Sequence, residues 1–172
     1  MKRLGVLAAL LLASCGGNVV PNDGFGEVRY GMSADQLKQA GFTCETDIEC
    51  SKEQSGSGSK DDLSFNKPDR IRTNLTNGAV SSIDLTFFTY SDEETIAAYT
   101  EAYGKADVCR FQNALGATIE HHIWSAKNEA TITVSKILDY GFAPNMSSLS
   151  ARMSSATYRA PDESRKFEAE RC

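Results

Sequence analysis

The chain has 172 residues, with 18 basic and 23 acidic side chains and a net charge of −5. This excess of acid argues against nucleic acid as a partner and against electrostatic binding to an anionic membrane surface. The length fits one domain with a real hydrophobic core.

The N-terminus is typical of an export signal. A basic head, Met1-Lys2-Arg3, precedes an apolar run over residues 4–13. The run is too short for a transmembrane helix, which needs roughly 20 apolar residues. It ends in Leu12-Ala13-Ser14-Cys15, which resembles the lipobox of bacterial lipoproteins. An ordinary signal peptide with a chance cysteine is the alternative.

The lipobox resemblance implies a lipid anchor at Cys15. Residues 1–14 would leave as the signal peptide, and the Cys15 thiol would take a diacylglyceryl group, so that Cys15 carries two or three acyl chains such as palmitate. Two chains suffice for stable anchoring. Gly16 follows Cys15 at the position where an aspartate would resemble the inner-membrane retention signal of enteric bacteria. For a Gram-negative host we therefore expect a cell-envelope protein that is anchored in the outer membrane and faces the periplasm. The mature chain keeps 158 residues, with 16 basic and 23 acidic side chains and a net charge of −7.

A polar tether is predicted over residues 15–24 and a single domain over 25–160. Ser33-Ala34-Asp35-Gln36 is a capping box that predicts a short helix with Leu37 facing inward and a stop at Gly41. A strand is expected over residues 42–46.

Residues 25–41 (FGEVRYGMSADQLKQAG) resemble the start of small envelope lipoproteins of the SmpA/OmlA type and of the β-lactamase-inhibitor-like fold. In those proteins a Gly-Met-Ser/Thr string leads into the first helix. Members of that fold bind other proteins and carry no catalytic residues. The resemblance therefore implies a fold and a binding role, and no active site.

Four cysteines remain after the lipobox: Cys44, Cys50, Cys109 and Cys172. An even number in an exported chain indicates disulfides, and four cysteines allow three connectivities. We favour Cys44–Cys50 and Cys109–Cys172. Zinc is the alternative, but the chain has no C-x-x-C pair and its histidines are distant from the cysteines, so no metal or other cofactor is predicted.

A hairpin is the clearest local prediction. Residues 51–62 contain no aliphatic or aromatic side chain and predict a flexible loop. Residues 70–75 then alternate between polar and apolar side chains, which predicts a strand, and Asn77-Gly78 supplies a type I′ turn. Residues 79–90 are predicted to return as the second strand, with a bulge near Ser81-Ser82.

The second half of the sequence repeats the order of a capping box, a helix and then strands. Ser91-Asp92-Glu93-Glu94 is another capping box, and its helix is expected to run to Tyr103 and stop at Gly104. Strands are predicted over 117–126 and 130–138, and a final strand around Leu149 to Met153. Residues 161–172 are a short helix or a tail. The fold class is α+β: two short helices packed on an antiparallel β-sheet, with a hint of two helix-plus-strands halves.

No catalytic constellation emerges from the sequence. His121 and His122 point to opposite faces of their predicted strand, so they cannot serve one ligand together. His122 and Trp124 share a face and form a candidate binding patch, with sheet packing as the alternative. No G-x-S-x-G nucleophile motif is present.

The functional prediction is a membrane-anchored, non-enzymatic protein-binding module, accessory to envelope assembly. The alternative is an inhibitor or immunity protein against a secreted toxin or hydrolase. Aromatic side chains left exposed would mark the binding surface, although core packing is favoured for most of them; the candidates are Phe87, Phe88, Tyr90, Tyr99 and Tyr103.

Overall fold

The computed structural model describes residues 19–54, 67–140 and 153–171, with side chains to residue 167. It is a mixed α+β structure, as predicted. The helices are α1 (Ala34–Gln39), α2 (Asp92–Tyr103) and α3 (Pro161–Arg171); the strands are β1 (Gly24–Phe25), β2 (Val28–Arg29), β3 (Thr43–Cys44), β4 (Glu49–Glu53), β5 (Arg70–Thr76), β6 (Ala79–Phe87), β7 (Asp107–Gln112), β8 (Thr118–Ser125), β9 (Thr131–Asp139) and β10 (Ser154–Arg159).

One antiparallel sheet of eight strands organises the chain. Its order is β3-β4-β5-β6-β10-β9-β8-β7, and β1 and β2 form a separate two-stranded ribbon. Each half of the sheet consists of four consecutive strands that follow a helix, and the halves meet where β6 pairs with β10. The predicted arrangement of two helices on a sheet holds only in part, because strands predominate and α3 is a third helix.

The inner face of the sheet carries the hydrophobic core. It contributes Ile83 and Leu85 from β6, with Tyr158 opposite Ile83 on β10, all essentially inaccessible to solvent. Helix α2 covers this face, and Leu37 of α1 and Phe25 of the ribbon join the same cluster. Helix α3 lies against the outer face instead. The two faces of the sheet are therefore covered by different helices.

Both predicted capping boxes are confirmed. The Ser33 hydroxyl accepts from the Gln36 amide while the Gln36 side chain accepts from the Ser33 amide, and Ser91 and Glu94 make the same exchange. This satisfies donors that the first helical turn leaves without partners. Helix α2 ends at Gly104, whose φ of 86° a residue with a side chain rarely adopts.

The predicted hairpin and its bulge are also confirmed. Asn77 and Gly78 have φ values of 54° and 78°, the left-handed conformations that a type I′ turn requires. The pairs Asn74–Ser82 and Leu75–Val80 leave Ser81 as the extra residue in β6. The bulge therefore lies where the alternation of the sequence breaks.

Several strand predictions need correction. A final strand was predicted around Leu149 to Met153; the structure shows a strand over Ser154–Arg159, Met153 precedes it, and Leu149 and Ala151 lie outside the described residues. The strand predicted over 42–46 is only Thr43–Cys44. Residues 51–53, assigned to the loop, extend β4, because pairing with β5 outweighs their polar composition. The rest of the predicted loop, from residue 55, lies outside the described residues. For residues 161–172 the sequence predicted either a short helix or a tail. The structure shows a helix, α3, over Pro161–Arg171.

The predicted Cys44–Cys50 disulfide is present and joins directly paired positions of β3 and β4. Cys109 is also a disulfide cysteine. Cys172 lies outside the described residues, so its pairing with Cys109 stays a prediction.

The described end of the tether, residues 19–24, already contacts the domain. The Asn22 carbonyl accepts from the Asn128 side chain, and Asp23 pairs with Arg29 at 3.2 Å. Gly24 belongs to β1, and a Cβ there would lie 2.1 Å from the Val28 carbonyl oxygen. A glycine is needed for this close approach, so the folded region starts before Phe25.

Candidate functional site

His122 and Trp124 share the inner face, as predicted, but the structure places them in packing positions. Trp124 is 2% exposed, donates from Nε1 to the Gly104 carbonyl at 2.8 Å, and packs against Tyr99 of α2. His122 stacks on Trp124 and hydrogen-bonds Glu120. The geometry favours the sheet-packing alternative for this pair, and its use as a binding patch stays a prediction.

A charged network surrounds Glu120 at the edge of the inner face. Its carboxylate pairs with Arg110 at 2.5 Å and with His122 at 2.8 Å. The hydrogen bond from Arg110 lowers the pKa of Glu120, although burial acts in the opposite direction. These contacts join neighbouring positions of β7 and β8, so the network stabilises the pairing of these two strands.

His121 points to the opposite face, as the alternation predicted. Its ring stacks on Phe111, meets the edge of Phe167 and hydrogen-bonds Ser135 at 2.7 Å. Within the described ranges, no cluster of three or more histidine, cysteine or acidic residues could hold a metal ion. None of the helices in that part of the chain is both long and apolar enough to cross a membrane.

Asp84 lies on the half of the outer face formed by β3 to β6, where α3 contacts β6. We call this the open half. Its carboxylate accepts from the Asn74 amide at 2.9 Å and from the Thr157 hydroxyl at 2.7 Å, and Arg72 lies 3.7 Å away. These contacts join three adjacent strands. Asp84 and its two hydrogen-bond partners, Asn74 and Thr157, are therefore held in place by contacts within the sheet.

An aromatic side chain is exposed at the margin of this surface. Phe88 is 43% exposed, and the Arg70 guanidinium lies 5.7 Å from the centre of its ring. Arg70 also pairs with Glu53, and the Phe88 amide donates to Asp69. We call Arg70, Arg72 and Phe88 the Arg70–Phe88 patch.

The other half of the outer face forms a cleft of about 630 Å³ between the sheet and α3. Its floor carries an apolar row and a parallel polar row; the lining residues are Asp92, Phe111, Ile119, His121, Ser135, Ile137, Met153, Ser155, Arg159, Glu163, Lys166 and Phe167. We call this the α3 cleft. It is concave and largely apolar with a few polar groups, as ligand sites generally are.

Asp92, at the margin of the α3 cleft, has a pKa above the usual value for an aspartate. Burial and, secondly, the Glu93 charge raise its pKa to about 6. Glu93 shifts the other way, because its hydrogen bond to Lys136 lowers its pKa. The two neighbouring carboxyls therefore ionise at different pH values.

A pH-dependent cost to stability follows from Asp92. The pKa of Asp92 is higher in the folded than in the unfolded protein, so its ionisation lowers the free energy of unfolding as the pH rises from about 4 to about 6. Above pH 6 the full decrease is reached. We expect Asp92→Asn to raise the free energy of unfolding at pH 7.5 but not at pH 4. The gain should stay below about 1 kcal/mol, because solvent screens this partly exposed group. Urea unfolding at both pH values measures it, and an equal effect at both would contradict the assignment.

Sequence reasoning named Phe88 as a candidate but missed Asp84, Arg159 and the two arginines of the Arg70–Phe88 patch. Alternation in β5 and β6 could have placed Arg70, Arg72 and Asp84 on one face, because Arg72 and Asp84 are paired in the hairpin. No local signal predicts that α3 returns to the outer face beside β8 and β9.

Comparisons with protein-family models, with curated proteins and with solved structures give no match.

Proposed function

We propose that the protein is a lipid-anchored, non-enzymatic binding module of the cell envelope, held through Cys15 in the outer membrane, facing the periplasm and accessory to envelope assembly. The lipobox supports the anchor. Cys15 lies outside the described residues, so the proposal for it rests on residues 1–15 as a sequence. A tether of a few residues would keep the folded region close to the membrane surface.

The Arg70–Phe88 patch is the observation that carries the binding proposal. Large exposed aromatic side chains and arginines are enriched at protein interfaces and at their energetic centres. Phe87 and Tyr90, the other aromatic candidates of this segment, are buried at 2% and 7% exposure, which leaves Phe88 as the ring available to a partner.

The hydrogen-bonded cluster around Asp84 supports the same proposal. A partner that docks there orders few side chains, so it loses little conformational entropy. The repeated order of one helix and four antiparallel strands supports an origin from two similar halves. The resemblance of residues 25–41 to small envelope lipoproteins, whose fold binds proteins, points in the same direction.

Site-specific photo-crosslinking tests the proposal. A benzophenone amino acid in place of Phe88 in the full chain should capture a defined partner in intact cells. Ile48, at 68% exposure near the opposite end of β5, is the matched control and should capture no such partner. Phe88→Ala should weaken partner binding by at least about 30-fold, the effect of an interface hot spot.

The identity of the captured protein separates the two functional classes. A resident envelope protein supports the assembly module. A secreted toxin or hydrolase supports the inhibitor or immunity alternative. Equal labelling from Phe88 and Ile48 would contradict the docking surface itself.

A further inference from the structure

We propose that the docking surface continues from the Arg70–Phe88 patch, at the margin of the open half, along the floor of the α3 cleft, and that its partner is a basic amphipathic helix of another protein. The inference rests on the proposed function, because it names the chemistry of the partner captured at Phe88. Three observations carry it: an apolar row across five strands, an acidic side chain beside that row, and the position of the row relative to the tether.

Five apolar side chains occupy corresponding positions on five neighbouring strands or directly at their ends. Phe111 is paired with Ile119, and Ile119 with Ile137. Met153 and Ile137 lie three residues beyond the last pair of β10 with β9, and Phe88 corresponds to Met153 one residue beyond the last pair of β6 with β10. We call these five residues the Phe88–Phe111 row. Phe88, Met153 and Ile137 remain 43%, 52% and 37% exposed, so the row is open to a partner.

The spacing of the Phe88–Phe111 row fits a helix better than an extended strand. Neighbouring strands are about 4.8 Å apart, so four steps give the row a length of about 19 Å. An α-helix rises about 5.4 Å per turn, so one apolar residue from each turn can meet one strand, and about 13 residues cover the row. Residues on one face of an extended strand are about 6.7 Å apart and would fall out of step with it.

Asp92 favours a basic partner over an acidic one. It lines the α3 cleft together with Met153, and among the described residues its carboxylate forms no ion pair. Lys136, the cation that acts on it, is held by Glu93 at 2.8 Å. Because burial and the Glu93 charge disfavour the ionised form of Asp92, a lysine or arginine on the flank of the helix would stabilise it. The net charge of −5 favours the same sign of partner.

The tether contacts the opposite end of the sheet from the Phe88–Phe111 row. The side chain of Asn128, in the turn between β8 and β9, donates to the Asn22 carbonyl of the tether. Ile137 lies six residues after Thr131, the first residue of β9, which is about 20 Å along the strand. The anchored end of the chain therefore joins the fold far from the row, which favours a protein rather than the bilayer as its occupant.

Binding of designed peptides to the full chain tests the chemistry of the partner. The probe is a fluorescent helix of about 14 leucine, lysine and alanine residues whose leucines form one face. One control is a scrambled peptide of the same composition, and the other has glutamate in place of lysine. Fluorescence anisotropy should show at least about tenfold weaker binding of both controls. Equal binding of the scrambled peptide would overturn the helix, and equal binding of the glutamate peptide would overturn the basic flank.

Substitutions in the full chain locate the bound peptide. Met153→Gln and Ile137→Gln should each weaken binding of the lysine peptide at least about fivefold. Val108→Gln is the matched control and should leave binding unchanged, because Val108 is 50% exposed but pairs with His122 on the inner face. Asp92→Asn should weaken binding about two- to fivefold, and Asp92→Glu should not. Folded Met153→Gln and Ile137→Gln proteins that bind like the unaltered chain would overturn the row, and an unchanged Asp92→Asn would overturn the charge preference.

Photo-crosslinking in intact cells separates this inference from the proposed function. A benzophenone amino acid in place of Ile137 should capture the same protein as one in place of Phe88, through a basic amphipathic segment of that protein. Capture at Phe88 without capture at Ile137 would overturn the continuous surface and leave the proposed function standing, whereas no capture at either position would overturn both. Crosslinks from Ile137 to residues 141–152 of the same chain, or to lipid, would also overturn the inference, because they assign the row another occupant.

Discussion

Replacement of Trp124 by alanine is expected to lower the free energy of unfolding by about 3–5 kcal/mol, the range for large aromatic side chains removed from a core. Trp124 is 2% exposed and contacts Tyr99, so its loss opens a cavity between β8 and α2. Its Nε1 donor also joins the sheet to the end of α2 at Gly104. Chemical denaturation followed by circular dichroism measures the loss.

Trp124→Phe is the matched control for this substitution. It keeps most of the ring and removes the hydrogen bond to Gly104, so we expect a smaller loss, to which the missing hydrogen bond contributes about 1 kcal/mol. A Trp124→Ala protein of unchanged stability that fails to capture its partner would contradict the packing role. That result would support the patch of His122 and Trp124 as a binding surface.

Replacement of Tyr158 by alanine should have an effect of similar size, about 3–5 kcal/mol. Tyr158 is 1% exposed on β10, the strand that pairs with β6 and joins the two halves of the sheet. Its ring packs on Phe25, and its hydroxyl lies 3.2 Å from that of Tyr99. One side chain thus connects the ribbon, the sheet and α2, so its loss should weaken both halves together.

Tyr158→Phe separates packing from hydrogen bonding at this position. It keeps the ring, and we expect a loss of about 1–2 kcal/mol because the buried Tyr99 hydroxyl loses a partner. Phe88→Ala, at an exposed position, should change stability far less. Thermal unfolding in which only one half melts in Tyr158→Ala would contradict the joining role of β10.

Local rules predicted the parts of this fold that local contacts determine. The capping boxes at Ser33 and Ser91 and the Asn77-Gly78 turn were predicted because their hydrogen bonds and dihedral angles depend on residues close in sequence. The Ser81 bulge followed from a break in alternation. These features place the helices and the central hairpin.

Features that depend on distant contacts escaped prediction. β7 is an edge strand with mostly exposed side chains, so its pattern lacks a buried stripe. The pairing of β6 with β10 joins residues about 70 positions apart, and α3 returns to the outer face only because that sheet exists. The α3 cleft depends on this topology and could not be located from the sequence alone, whereas alternation in the β5–β6 hairpin could have placed Arg70 and Arg72 on one face.

Intact-mass measurement of the purified native protein tests the central claim most directly. The account predicts a mature chain that starts at residue 15, with a mass increased by a diacylglyceryl group and any further acyl chain on Cys15. The Cys15→Ala variant should lack that addition and leave the membrane fraction. A native protein that retains Met1, or that carries an unmodified Cys15, would contradict a lipid-anchored module of the envelope.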